Sequence, residues 1–527
     1  MAEDSSLQPS TAHNPPLDLG FAGLSLHDLL AQRNAAQPAV RAPSEILAHI
    51  FQSLKDILDN QNAPFYIRKK VPYPWINTMQ VCRRWREVAL DTLSLWTVLR
   101  IRHPGQAGHP LNQLVLDHSV MTSLVIDVRT FKDDDSNALL NIALPHLVRA
   151  RVIAFMISPS AFESLELHVP TFLPLLTDLE LISPQYSNLY HPHVRLPASV
   201  LRWFASGLTK LTIVDYAIRW STTCFPATLM ELSIIKMRLG GPLTSLHQVI
   251  QALSGLRSLQ RLELHAVITQ AMNEESAKHA TLHKLESLKL FEVAPAAVVQ
   301  FLDVLVPSST RIHVSFTDDS PLTFPLIPRV IPPLAARLPG PKPPDTLVLF
   351  KDRIILSDWT STICSIDLGC IAGTKEGRWT TTRDIFAPLL DTCGFGITTL
   401  ILDHCQFEEG PNLVAWEVLF RQIPNVQTLT FRRYERPKQD GVAQIVERVS
   451  GSDLWLPKLK TLSFEHSNFA QIGVLALKDA NFFAQICTAA AGLDEVRFKQ
   501  CKVHEPDVAF LRTAVRRVVW DVYKQHL

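Results

Sequence analysis

LQRLEL at residues 259–264 and LESLKL at residues 285–290 write one pattern, Leu-x-x-Leu-x-Leu, twice within a short length of chain. The last two leucines of each copy stand two positions apart, so in a strand they share one face while the residue between them takes the other. The first leucine, three positions earlier, turns into the same core. A unit this small cannot bury that face alone. It must stack on neighbours of its own kind, which is the sequence sign of a solenoid built on one parallel sheet.

Outward from this stretch the pattern recurs in both directions. Before it come Met121/Leu124/Ile126, Leu176/Leu179/Leu181, Leu208/Leu211/Ile213 and Leu229/Leu232/Ile234, with Leu147/Ala150/Val152 as a loose copy. After it come Ile363/Ile366/Leu368, Ile397/Leu400/Leu402, Val426/Leu429/Phe431, Leu459/Leu462/Phe464 and Leu493/Val496/Phe498. The interval is 21 residues from Leu211 to Leu232 and 34 from Leu462 to Val496, so the units straddle and exceed the roughly 20–29 residues of a regular leucine-rich repeat. Asn rarely takes the inner turn position; His265 and His404 lie near it in two units. Helical spacing at Leu246–Leu253 and Trp416–Gln422 predicts an outer layer of helices. The fold class is therefore α/β, with an irregular repeat array over residues 101–506.

The periodicity fails at residues 317–345, where the proline-dense run SPLTFPLIPRVIPPLAARLPGPKPPD breaks helix and strand alike. An inserted loop between two halves of the array explains it better than a PxxP ligand in extended form. Over residues 507–527, Phe510, Leu511, Ala514, Val518, Val519 and Val522 fall at helical spacing and predict a helix capping the open end of the sheet.

Composition narrows the function. In 527 residues, 51 Lys and Arg balance 50 Asp and Glu, so bulk charge selects neither nucleic acid nor an anionic membrane as a partner. No apolar run approaches the ~18 residues of a membrane span. The eight cysteines are scattered, with no C-x-x-C pair, as expected of buried thiols in a reducing cytosol or nucleus. Residues 1–40 are mostly polar and predict disorder, with a weak helical pattern from Leu17 to Gln32.

Residues 41–100 read differently. APSEILAHIF (42–51) sets Ile46, Leu47, Ile50 and Phe51 on one helical face, with Ser44 as cap and Glu45 in the first turn. WINTMQVCRRWREVAL (75–90) predicts a second helix with a stripe of Val81, Cys82, Trp85, Val88 and Ala89, followed by a turn into LSLWTVL (93–99). Two short helices cannot cover such stripes, so a third helix or a partner must complete the burial.

PSEILAHIF, VCRRW and the closing LSLW stand in the order of the F-box-like domain common in fungal proteins, which this segment resembles from Pro43 to Leu99. Ala42 replaces the usual leucine, and Gln52–Pro74 is longer than the usual link and reads as a surface loop. The array is similar to the degenerate repeats found behind F-boxes. The resemblance implies docking on the Skp adaptor of a cullin–RING ubiquitin ligase, the repeats holding a target protein. The residues it implies for adaptor contact, or for supporting that face, are Pro43, Ile46, Leu47, Ile50, Phe51, Val81, Trp85, Val88, Leu95 and Trp96. A binding scaffold of the same architecture that never joins a ligase is the other reading.

Catalytic signatures are missing from the sequence: no P-loop, G-x-G-x-x-G, H-E-x-x-H or G-x-S-x-G. His191-Pro192-His193 has no further ligand nearby. Asp133-Asp134-Asp135 lacks the glycine and glutamate of a calcium loop and reads as a solvated turn. Arg432-Arg433-Tyr434-Glu435-Arg436 reads as a solvated loop, Cys82 as an inert thiol. The expectation is a recognition protein, not an enzyme, with no cofactor or metal.

Overall fold

A computed structural model describes residues 41–60, 73–102, 110–130, 133–158, 173–183, 207–221, 225–236, 244–270, 282–293, 295–305, 310–316, 344–350, 353–357, 362–367, 396–403, 411–433, 455–467, 493–503 and 505–522, together with positions 25, 161, 195–196, 200, 330, 333–334 and 390. The weak helical pattern at 17–32, the His191–His193 pair and most of the 317–345 run lie outside these residues. The chain divides into two compact units: residues 1–100 with 110–122, and residues 101–109 with 123–527.

The first unit is helical. Helix α1 spans Ser44–Asn60. The Pro43 carbonyl accepts its first intrahelical bond, from the Leu47 amide at 3.1 Å, so Pro43 holds the cap position and Ser44 is already inside the helix. The helix runs nine residues, Gln52 to Asn60, into the stretch read above as a loop. Leu54 and Leu58 continue the inward face half-buried, and Gln52 donates to Asp56 one turn on at 2.8 Å. Residues 61–72 lie outside the described set. The expected single helix over 75–90 is also two pieces: a 3-10 turn Pro74–Gln80 and helix α2, Arg83–Asp91. Pro74 can start a helical turn but fixes where it starts, and Cys82 is extended (φ −158°, ψ 170°), restarting the chain as the cap of α2. A second 3-10 turn, Leu93–Trp96, leads to strand β1, Val98–Ile101, and helix α3, Pro110–His118, closes the unit.

The second unit opens with β2 (Leu124–Arg129), helix α4 (Asp133–Ala143), β3 (Ala150–Met156), β4 (Asp178–Ile182), β5 (Lys210–Val214) and β6 (Glu231–Ile235). The triple aspartate thus begins a helix, where the dipole favours negative charge, and is not a turn. Next come β7 (Thr244–Ser245), helix α5 (Leu246–Leu253), β8 (Arg261–His265), β9 (Ile268–Gln270), β10 (Ser287–Val293), helix α6 (Pro295–Leu305) and β11 (Arg311–Phe316). The chain goes on through β12 (Thr346–Phe350), β13 (Arg353–Ser357), β14 (Thr362–Asp367), β15 (Thr399–Asp403), helix α7 (Pro411–Gln422), β16 (Thr428–Arg432) and β17 (Thr461–Glu465). It finishes with β18 (Glu495–Cys501), helix α8 (Glu505–Ala514) and β19 (Arg517–Val522).

Nine of these strands run parallel in the order β2, β3, β4, β5, β6, β8, β10, β11, β14. Their apolar positions align: Leu179, Leu211, Leu232, Leu262, Leu288 and Ile312 form one row, and Leu181, Ile213, Ile234, Leu264, Leu290 and Val314 the next. All of these are buried. Each such leucine contributes about 1.5–3 kcal/mol by leaving water. A fourth apolar position precedes the three read in sequence, because Leu176, Leu259 and Leu285 donate their amides to Leu173, Leu256 and Leu282 in tight turns of 2.9–3.2 Å.

Three copies of the pattern sit in a different register. The inward pair of β2 is Ile126 and Val128, and that of β3 is Ile153 and Phe155; Ala150 and Val152 do not fill those places. In β14, Cys364 and Ile366 stand opposite Ile312 and Val314; Leu368 lies outside the described residues. Bulged or short repeats slip by a residue or two because every alternate position is apolar.

The break after β11 is a rearrangement of the repeat. β14 takes the place beside β11, β13 runs antiparallel to it, and β12 runs antiparallel to β13. β12 then pairs in parallel with β15, and β16 to β19 follow in order. Short links suffice for antiparallel neighbours, whereas each parallel step needs a crossover. The C-terminal residues correct a further expectation. Helix α8 stops at Ala514, and Arg517–Val522 forms the last strand of the sheet where a capping helix was expected. Consecutive β-branched Val518 and Val519 with Trp520 favour the strand.

Candidate functional site

Helix α1 carries two apolar faces. Leu47 and Phe51 are fully buried, whereas Ile46, Ile50 and Ile57 are 50%, 48% and 58% exposed. The three isoleucines lie four and seven residues apart, within about 40° of one another around the helix. The buried side is held by aromatic packing: Phe51 meets Trp85 edge-on at 5.2 Å, Trp75 meets Trp96 at 5.0 Å, and His118 of α3 stacks on Trp96 at 5.0 Å.

Polar groups in this core are matched. Trp96 Nε1 donates to the Ala89 carbonyl at 2.9 Å, and Lys55 Nζ donates to the Ser94 carbonyl at 2.7 Å and to Thr97 Oγ1 at 3.1 Å. The Tyr73 hydroxyl donates to Asn112 Oδ1 and accepts from the Arg100 amide, both at 2.9 Å. Burial without such partners would cost about 1–3 kcal/mol per group, so these bonds set how α1, the turns and α3 meet.

The ten residues singled out in the sequence therefore separate. Leu47, Phe51, Val88, Leu95 and Trp96 are buried and build the unit, and Trp85 is half-buried against Phe51. Pro43, Ile46, Ile50 and Val81 reach the surface. Sequence reasoning missed Ile57 because the helix was ended too early; its place seven residues after Ile50 was the available signal. It also missed exposed Leu93 and the buried Tyr73, Trp75 and Lys55, whose placement depends on contacts distant in sequence.

In the second unit the outward residues of the strands form rows of paired charge. Glu231 is bridged by Lys210 at 3.4 Å and by Arg261, Lys289 reaches Glu263 at 3.5 Å, and His265 lies 3.3 Å from Glu292. Two shallow cavities open on this face: about 180 Å³ between Lys210, Glu231, Arg261 and Glu263, and about 330 Å³ beside Phe291, Arg311 and His313. Arg433 Nε and Nη2 each donate to the buried Asp403 carboxylate at 2.8 Å, and Arg432 binds Glu465 at 2.8 Å. These two arginines are tied into the sheet and do not form a solvated loop; Tyr434, Glu435 and Arg436 lie outside the described residues.

Burial pushes the Cys501 thiol up to about 11, and Cys82 is half-buried. Among the described residues no group of three or more His, Cys, Asp or Glu could hold a metal ion, and no helix is long and apolar enough to cross a membrane.

Residues 43–102 match the family model of the F-box-like domain. That range holds α1, both 3-10 turns and α2, and an F-box-like domain is thus followed by the parallel sheet of repeats. No curated protein matches the chain. Similar solved structures include the leucine-rich repeat-containing protein LegL7 from Legionella pneumophila, at 12% identity and a TM-score of 0.28 over 80% of this chain and 97% of that one. Another is the Rad7 and Elc1 complex in yeast, at 13% identity and a TM-score of 0.25 over 84% and 94%.

Proposed function

We propose that this chain is the substrate-recognition subunit of a Skp–cullin–F-box type ubiquitin ligase, working in the cytosol or nucleus. The observation that carries the reading is the exposed isoleucine stripe, Ile46, Ile50 and Ile57, on the first helix of a segment that matches the F-box-like domain. A helix that buries one apolar face and leaves a second in water is suited to a partner's groove or helix face. The partner is the Skp adaptor, and the outward face of the repeats holds a target protein. The chain itself is no enzyme and needs no cofactor. Its contribution is to hold the target close to a transfer reaction performed by other subunits.

The test is co-purification of the full chain with the adaptor. The parent is expected to form an equimolar complex. Ile50→Glu should abolish it while changing the thermal melt far less than a core substitution does, because that side chain is 48% exposed. Trp96→Ala should instead cost about 3–5 kcal/mol of stability. A folded parent that fails to bind the adaptor would overturn the ligase assignment and leave a repeat-based scaffold that acts outside a ligase.

A further inference from the structure

β19 is the last described strand of the chain, and the one strand registered against it among the described residues is β18. Among the described residues no second strand pairs with its other edge, which leaves a template for another strand. Val518, Val519 and Trp520 are each only half-buried, and the Trp520 indole N–H is enclosed without an acceptor among the described residues.

The sequence of this edge, RVVWDV, is complementary to itself. Turned about a two-fold axis through Val519, the strand meets a copy of itself antiparallel. Arg517 then faces Asp521 of the copy, Val518 faces Trp520, and Val519 faces Val519. Opposed residues in an antiparallel pair share one face of the sheet, and here the faces agree. Register with β18 places Arg517, Val519 and Asp521 in rows with Glu495, Arg497 and Lys499, and Val518 and Trp520 in rows with Val496 and Phe498.

The charges extend this match beyond the edge. Arg517 lies 3.7 Å from Glu495, and Asp521 stands opposite Lys499. Pairing two edges would give the row Glu495, Arg517, then Asp521 and Lys499 of the second copy, alternating in sign throughout. On the inward face the stack Phe431, Phe464, Phe498, with rings 5.5 and 5.4 Å apart, would continue through Trp520 onto Val518 of the copy.

We infer that the C-terminal edge strand Arg517–Val522 is a self-association surface whose occupant is the same strand of a second copy of this chain, paired antiparallel about Val519. The contact is closed by its two-fold symmetry, so it yields dimers and not filaments.

The experiment is light scattering and sedimentation equilibrium on the full chain over a range of concentrations. The parent is expected to approach twice its 59.1 kDa as concentration rises. Arg517→Asp and Asp521→Arg each place like charges opposite one another at both ends and should weaken the dimer roughly tenfold or more. An equimolar mixture of these two variants restores both attractive pairs and should recover the parent's dimer. Val519→Cys should give a covalent dimer on mild oxidation, since the two copies meet there within disulfide reach. Val518→Cys, opposed to Trp520, should not. Ile50→Glu should leave the dimer intact.

A parent that stays monomeric at every concentration would overturn the inference. So would a dimer indifferent to both charge reversals, a mixture that fails to recover it, or a dimer lost with Ile50→Glu alone. If a charge reversal frays the strand, the Val519→Cys and Val518→Cys contrast still decides.

Discussion

Ile46 and Leu47 are adjacent in sequence and opposite in fate: the first is half-exposed, the second has no exposed surface. About 100° of helix rotation separates them, enough to put one on the exposed stripe and the other against the aromatic core. Glu495 shows the same dependence on surroundings. It is nearly buried, and the hydrogen bond from Arg497 at 2.8 Å holds its carboxyl below the ordinary carboxylate range, against the opposing effect of burial, with the charges of Arg497 and Arg517 adding to it. A carboxyl depressed in the folded state stabilises the fold above its unfolded value of about 4.3. That contribution is lost as pH falls through the lower, folded value. Below about pH 4 the parent should therefore lose stability more steeply than Glu495→Gln, while above about pH 5 the variant should be the less stable. Urea midpoints against pH, at one low protein concentration, check this; two parallel curves would count against it.

At the scale of the element, the repeats share a device that their residue types do not reveal. Asp215, Ala266, Glu292, Arg433, His466 and Gln500 all have φ between 52° and 60°, at or near the C-terminal ends of β5, β8, β10, β16, β17 and β18. In four of them, Asp215, Ala266, Arg433 and His466, the amide donates to the last residues of the next strand at 2.8–3.0 Å, so the left-handed turn is what carries the chain out of one strand while keeping it bonded to the next. Side chains in this region cost about 1–2 kcal/mol relative to glycine's freedom, partly offset by glycine's greater entropy loss. Ala266→Gly and His466→Gly should each raise stability by about 0.5–1 kcal/mol, visible as a higher melting temperature. Arg433→Gly should lower it, because two hydrogen bonds to the buried Asp403 are lost. A gain at all three positions, or at none, would contradict this account of the turn.

At the scale of the whole chain, the boundary of the first unit falls later than the sequence motif suggests. The motif ends at Trp96 and Leu99, yet residues 110–122 belong to the same compact unit. Helix α3 supplies Asn112 to the Tyr73 hydroxyl and His118 to the face of Trp96. A fragment of residues 41–122 should therefore melt cooperatively, whereas residues 41–105 should be destabilised by at least about 1–3 kcal/mol through loss of the buried hydrogen-bond partner alone. Equal melting of the two fragments would show that α3 is dispensable.

The sequence by itself determined the α/β class, the helical segment that precedes the sheet, and the row of inward leucines from Leu179 to Leu288. Those features follow from local periodicity, which needs only the spacing of apolar residues to be read. It did not determine which face of α1 is covered, because Ile46 and Leu47 are equally apolar and only packed neighbours such as Phe51 and Trp85 distinguish them. Nor could it order β12, β13 and β14, since their pairing depends on hydrogen bonds to strands far along the chain. The exposure of the isoleucine stripe and the place of the terminal strand at the end of the sheet were left for the tertiary structure to decide. Burial is a property of what surrounds a residue, and those surroundings form only once the distant segments have met.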